Sequence, residues 1–189
     1  MMRLRWQRLG GAIASILSGG FGPDVPAATA ATASPVMTAS GPCTSGTLAK
    51  TSHYRFAVSL PVMQTMYTAA QVKSKHPTSG EVMLGGAVSM MHTMAMGSGR
   101  HLEVQICSRA TGKVVIGASP AIQLTDAKSM TTNVPVVEME GIGMGSADYH
   151  YGNDVAVTVG SRIKVTVKLH SEHAVVQLLV PKATSSQMG

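Results

Sequence analysis

The sequence predicts an all-β fold, an antiparallel β-sandwich of about seven to nine short strands. In several segments apolar residues alternate with polar ones, which is the period of a half-buried strand. Turns that contain Gly or Ser separate these segments. Long helical patterns do not alternate with the strands, which argues against a doubly wound α/β fold.

The first predicted strands lie at 54–60 and 101–107. YRFAVSL at 54–60 places alternate apolar side chains on one face. HLEVQIC at 101–107 turns its Leu, Val and Ile side chains inward, and its other face carries His101, Glu103, Gln105 and Cys107. A hairpin turn at Thr111-Gly112 follows this strand.

The remaining predicted strands lie toward the C-terminus. DVAVTVG at 154–160, RIKVTVKLH at 162–170 and HAVVQLLV at 173–180 show the same alternation, with turns at Gly160 and at Ser171-Glu172. One short helix is expected near TAAQVKSKH, where Pro77 would end it.

Composition divides the chain into four parts. Residues 1–33 combine a basic start, a short apolar run and small residues, the pattern of a signal peptide. Their apolar run is shorter than the roughly 20 residues that a membrane helix needs. We predict a flexible tether at 34–50, one domain at 51–182 and a disordered tail at 183–189. Lipidation of Cys43 is a minor alternative.

Charge and motifs exclude several classes of function. The formal net charge is +6, but Lys and Arg are scattered and aromatic residues are scarce, so we expect no nucleic-acid partner. The sequence lacks a phosphate-binding Gly-rich loop, a G-x-S-x-G elbow and an H-E-x-x-H motif. Glu138 and Glu140 share a strand face, which more often marks a solvated edge than an acid/base pair. We therefore predict a protein that is not an enzyme.

The only two cysteines are Cys43 and Cys107. In an exported chain an even pair favours a disulfide, with two unrelated thiols as the alternative. A blue-copper site needs His and Met soon after the Cys, yet the first His after Cys107 is His150.

Histidines and methionines are the candidate metal ligands. His101 and Glu103 leave the same sheet face, and His170 and His173 flank a turn at a strand end. The segment SMMHTMAMGSG surrounds its sulfur and imidazole groups with Gly and Ser rather than with apolar partners, and it contains Met90, Met91, His92, Met94 and Met96. Thioether and imidazole together favour Cu(I).

A family resemblance begins at EMEGIGMGSADYHYGNDVAV, where Met144 precedes His150-Tyr151-Gly152-Asn153 and an apolar strand. Together with His101-Leu102-Glu103 and a later His, this order resembles the periplasmic iron-transport-associated proteins, small immunoglobulin-like dimers that bind copper and iron beside bacterial iron permeases. The resemblance covers roughly residues 80 to 180. It implies an immunoglobulin-like sandwich with a copper site of His101, Met144, His150 and either His170 or His173, and with Glu103 available to iron.

The expected function is therefore an exported metal-binding protein that captures copper, with iron as a second candidate, for transport or homeostasis. Its expected location is periplasmic or extracellular, including the cell surface. Its expected partner is a metal permease or another metal-transport protein in the membrane, and homodimerisation through an open edge strand is a further expectation. The alternative is a structural or adhesive β-sandwich module whose Met and His residues bind no metal.

Overall fold

The computed structural model describes residues 41–86 and 99–182. These residues form eleven strands and one α-helix. The strands are β1 (Thr47–Lys50), β2 (Tyr54–Ser59), β3 (Met66–Thr68), β4 (Glu81–Gly86), β5 (Gly99–Ser108), β6 (Ala121–Thr125), β7 (Thr131–Val134), β8 (Val137–Gly141), β9 (His150–Ala156), β10 (Arg162–Leu169) and β11 (Glu172–Leu179). Helix α1 spans Ala69–Lys75, and a 3-10 helix spans Gly145–Asp148.

The strands form two sheets. One has seven strands in the order β1-β2-β5-β9-β8-β4-β3, and the other has four in the order β11-β10-β6-β7. Every pair is antiparallel except β3 with β4. The all-β sandwich is thus confirmed. The strand number is higher than predicted because strands such as β3, with three residues, are too short to show a period of two.

The core lies between the sheets and follows the predicted alternation. From β5, Leu102, Val104 and Ile106 are fully buried. The four-stranded sheet contributes apolar residues of β6, β10 and β11, among them Ile122, Leu124, Ile163, Val165, Val167, Leu169, Ala174 and Val176. Each large aliphatic side chain that is removed from water stabilises the fold by about 1.5–3 kcal/mol, so this pattern fixes which face of β5 points outward.

The boundaries of β9 differ from the predicted strand at 154–160. The strand begins at His150 and ends at Ala156, and Val159, predicted to be buried, is 46% exposed. Pairing with β5 on one side and β8 on the other supplies backbone hydrogen bonds for Gly152 and Asn153, which have low strand propensity. As a result His150 lies within the sheet.

The prediction of a flexible tether at 34–50 is wrong for its last four residues. They form β1, which pairs antiparallel with β2, and Ala49 packs against the core. Cys43 forms a disulfide with Cys107 of β5, across 64 positions of sequence, and both cysteines are fully buried. Residues 34–40 lie outside the described part of the chain, as do the predicted signal peptide and tail.

The predicted short helix is confirmed as α1. Thr68 caps its N-terminus by accepting a hydrogen bond from the Gln71 backbone, and the Gln71 side chain accepts one from the Thr68 backbone in return. His76 ends the helix in the left-handed conformation, directly before Pro77. In the described residues no helix has both the length and the apolar character needed to cross a membrane.

Candidate metal centre

Four side chains converge on the outward face of the seven-stranded sheet. Glu81 of β4, His101 and Glu103 of β5 and His150 of β9 each place one potential ligand atom within 4.8 Å of the others. His101, His150 and Glu81 are at most 1% exposed, and Glu103 is half-buried. A polar cluster buried to this degree on the non-core face of a sheet needs a compensating interaction.

Strand register brings these residues together. In the β5–β9 pair, His101 lies opposite Asp154 and Glu103 lies opposite Gly152. Next to β9, β8 places Met139 opposite His150, and β4 places Glu81 opposite Gly141 of β8. Residues opposite each other point to the same face, so four adjacent strands contribute to one patch.

Hydrogen bonds orient both imidazole rings. His101 Nδ1 lies 2.9 Å from Asp154 Oδ1, and His150 Nδ1 lies 2.7 Å from the backbone oxygen of Asp148. A carbonyl or an ionised carboxylate only accepts, so each Nδ1 carries the hydrogen and donates it. In the neutral rings the lone pair is then on Nε2. This is the arrangement in which metal-ligating histidines are held by carboxylates and carbonyls in known metal sites.

The two Nε2 atoms face each other 3.2 Å apart. Two lone pairs at this distance repel, so either a proton or a cation must lie between them. Burial opposes protonation of His101, but its hydrogen bond to Asp154 and the charges of Asp154, Glu103 and Glu81 together raise the His101 pKa above its ordinary value. Burial lowers the pKa of His150. The surroundings of His101 thus favour its protonated form, and those of His150 favour its neutral form.

Glu81 is the member of the cluster without a hydrogen-bond partner on one oxygen. Its Oε2 is buried and unpaired among the described residues, and His150 Nε2 lies 3.5 Å from it. Burial raises the pKa of Glu81 to about 7, because the charged carboxylate loses its water. Glu103 differs, since its Oε2 accepts a hydrogen bond from Ser59 Oγ at 2.7 Å.

The donor set fits a transition metal ion. Two nitrogens that each bind a tetrahedral metal at about 2.0–2.1 Å lie about 3.3 Å apart, and the observed separation of 3.2 Å is close to this value. The carboxylates of Glu81 and Glu103 could supply two further ligand atoms. A buried His/Glu cluster that could hold a metal is therefore present in this protein.

The structure brings together three of the residues predicted as ligands, His101, Glu103 and His150. Met144 is 60% exposed and precedes the 3-10 helix, and its Cγ would lie 3.1 Å from a Cβ added at Gly141, the residue opposite Glu81. The predicted residues of the Met-rich segment, Met90, Met91, His92, Met94 and Met96, lie outside the described residues.

His170 and His173 require a correction, because both lie in the hairpin of β10 and β11 in the other sheet. His170 Nδ1 contacts the Tyr54 hydroxyl at 3.2 Å, at the start of β2, whereas Ser59 at the end of β2 contacts Glu103. The two ends of this strand are about 16 Å apart at about 3.3 Å per residue. Neither histidine belongs to the cluster.

Glu81 is the cluster residue that the sequence analysis missed. It opens β4, in which Glu81 and Met83 are buried while the aliphatic residues Val82 and Leu84 are more exposed, and an acidic residue beside Gly80 suggests a turn. The parallel pairing of β3 with β4 and the pairing of β4 with β8 bury it, and neither pairing leaves a local signal. The family motif gave no signal for it either.

A small apolar cluster borders the site on the same sheet face. It contains Met83, Val137 and Met139, and Met66 packs against it. Met139 is fully buried and is the residue directly opposite His150, so the thioether nearest in register to the imidazoles belongs to Met139 rather than to Met144.

Comparisons of the chain with protein-family models, with curated protein sequences and with solved structures find no significant match. The resemblance to the iron-transport-associated family thus stays a prediction.

Gly152 is predicted to be essential to this arrangement. A Cβ added there would overlap the carbonyl oxygen of Leu102, because β5 and β9 approach closely at this point. Gly152→Ala should separate the two strands that carry the histidines and destabilise the fold by more than the about 1–3 kcal/mol typical of overpacking. Chemical denaturation would measure this loss. Gly41→Ala, where a Cβ meets nothing within 4 Å, is the matched control and should leave stability unchanged.

Proposed function

We propose that this protein binds a transition metal ion through His101, His150, Glu81 and Glu103. The observation that carries the proposal is the pair of Nε2 atoms, 3.2 Å apart, whose opposite ring nitrogens are held by Asp154 and by the Asp148 carbonyl. The Nε2 atoms of the two rings face each other, so only a proton or a cation can bridge them. Glu81 Oε2 is a buried carboxylate oxygen without a hydrogen-bond partner among the described residues. Beside a histidine pair with only a structural role such an oxygen would be unfavourable, whereas a bound metal ion would give it a partner.

Copper is the metal that we propose first, with iron as the second candidate. Two imidazoles and two carboxylates form a donor set for divalent first-row ions, and Cu(II) binds most tightly among them. The same donors also suit Fe(II). Selectivity then depends on geometry and on the metal available, rather than on ligand type alone.

The proposed role is capture of the metal outside the cytoplasm and its delivery to a metal-transport protein in the membrane. The disulfide supports an oxidising compartment, because such bonds persist in exported proteins and are rare in the cytosol. The basic, apolar, small-residue start of the sequence supports export in the same way. Half-buried Glu103 gives one ligand a side toward solvent, which suits a site that must release its ion.

Copper titration of the metal-free protein tests this proposal. The full-length mature protein, treated with a chelator, should bind one Cu(II) per chain and release protons, because a metal ion binds neutral imidazoles and ionised carboxylates only. At a hundredfold excess of free metal over Kd, binding to the folded state alone adds about 2.7 kcal/mol of stability. A protein that takes up neither copper nor iron, and shows no shift in Tm with either, would support the structural or adhesive module instead.

Glu81→Gln should have opposite effects on stability and on metal binding. The amide removes a buried charge, so the metal-free variant should be more stable than wild type at pH 8, by on the order of 2 kcal/mol. In the wild-type protein the raised pKa of Glu81 lowers stability fully above about pH 7 and not at all below about pH 4.5. The stability advantage of the Glu81→Gln variant should therefore vanish in acid. Copper affinity should fall because a ligand is lost. A variant less stable than wild type at pH 8 would contradict this account of Glu81.

A further inference from the structure

A second polar cluster lies at the far end of the same sheet, away from the histidines. Lys50 of β1 and Arg55 of β2 are directly opposite each other in the antiparallel register. Their Cβ atoms are therefore about 5 Å apart, and like charges in this position destabilise a sheet. Arg109, in the turn after β5, joins them in lining one cavity.

These three cations have no carboxylate partner among the described residues, where the ion pairs formed all involve histidine. Arg55 Nε is buried and makes no hydrogen bond with any of the described residues. Arg109 is held in place, because its Nη1 donates to the backbone oxygens of Thr51 at 2.7 Å and Ser52 at 3.2 Å. Within residues 41–86 and 99–182, no carboxylate offsets the repulsion among these cations.

The cavity between them has the size and the donors for a small anion. Its volume is about 150 Å³, and Ser108 and Gly112 complete its lining. This is the space of about five water molecules at about 30 Å³ each. Arginine forks, a lysine ammonium and a hydroxyl are the donors that proteins use for phosphate and sulfate oxygens.

A larger cavity adjoins this one and shares Ser108 and Arg109 with it. Its volume is about 520 Å³, and the rings of His53 and Tyr54 line it. These rings meet edge to face with centroids 6.4 Å apart. Tyr54 packs against the core, on the other face of β2 from Arg55, and His53 Nδ1 hydrogen-bonds the carboxylate of Glu172. An organic group attached to the anion would therefore enter this cavity beside Ser108 and Arg109.

We propose that Lys50, Arg55 and Arg109 form a binding site for a tetrahedral oxyanion of the phosphate type. The anion is either free or the end group of a small organic phosphate whose body enters the neighbouring cavity. The anion offsets the repulsion between Lys50 and Arg55 and supplies acceptors for the unpaired Arg55 nitrogen. This site is separate from the metal centre and does not depend on it.

Calorimetric titration of the metal-free protein at constant ionic strength tests the site, with inorganic phosphate and glucose 6-phosphate as separate probes. We expect saturable binding of one anion per chain. Tighter binding of inorganic phosphate identifies the free ion as the ligand class, and tighter binding of the sugar phosphate identifies the extended one. The absence of saturable binding by both probes at millimolar concentrations overturns the proposal.

Two variants and a control locate the binding. Lys50→Gln and Arg55→Gln should each weaken the affinity by about tenfold, the loss of one charge-assisted hydrogen bond. Lys50 is exposed, so its substitution leaves the fold intact, as an unchanged circular dichroism spectrum would show. Lys168→Gln makes the same charge change in the other sheet and should leave the affinity unchanged. An equal loss in the control would mean unspecific attraction and would also overturn the proposal.

Discussion

Substituting His150 by alanine is expected to abolish nearly all of the copper-dependent stabilisation. The change removes one of the two facing Nε2 atoms and also the ring nearest to the unpaired oxygen of Glu81. Loss of an outer partner of a metal ligand typically costs about 10–100-fold in affinity, and loss of the ligand itself should cost more. The measurement is the difference in Tm between copper-loaded and metal-free protein, taken separately for each variant.

That difference must be used because His150 is fully buried, so its removal lowers the stability of the metal-free protein as well. His173→Ala is the matched control, since this histidine is exposed on β11 and lies in the other sheet. The His173→Ala protein should keep the full copper-dependent increase in Tm. A full copper shift in the His150→Ala protein at neutral pH would show that the metal binds elsewhere, with the Met90–Met96 segment as the next candidate.

Removing the disulfide is expected to cost about 4 kcal/mol of stability, since the bond closes a loop over a sequence separation of 64. The bond attaches the segment before β1 to β5. The Cys43 backbone also donates to Gln105 Oε1 at 2.8 Å, two residues from Glu103. Chemical denaturation of a Cys43→Ser/Cys107→Ser protein would measure the loss.

Reducing agent provides the internal control for this prediction. It should destabilise the wild-type protein by a similar amount and leave the double variant unchanged. Titration of the denatured, unreduced protein with a thiol reagent should detect almost no free thiol. Two free thiols per chain, or a double variant as stable as wild type, would contradict a structural role for the bond.

Local pattern predicted much of the sheet and part of the site, because burial on one face imposes a period of two. The alternation in HLEVQIC placed Leu102 inward, and so it placed His101 and Glu103 together on the outer face. The alternation in RIKVTVKLH likewise predicted the buried face of β10. In both segments each residue's direction follows from its neighbours in sequence alone.

The pairing of strands that are distant in sequence decided which other residues join the site. Such pairing leaves no local pattern in the sequence. His150 joins the site because β9 pairs with β8 and β5, and Glu81 joins it because β4 pairs with β8. His170 and His173 lie near a strand end as expected, but their strands belong to the other sheet. Strand ends that look alike in sequence are therefore far apart in the fold.

A crystal structure of the protein grown with Cu(II), with anomalous data collected at the copper edge, tests the central claim most directly. The account predicts one strong anomalous peak per chain between His101 Nε2 and His150 Nε2, at about 2.0–2.1 Å from each nitrogen. It also predicts carboxylate oxygens of Glu81 and Glu103 in the coordination sphere. A copper-loaded crystal with no peak between these two nitrogens would contradict it.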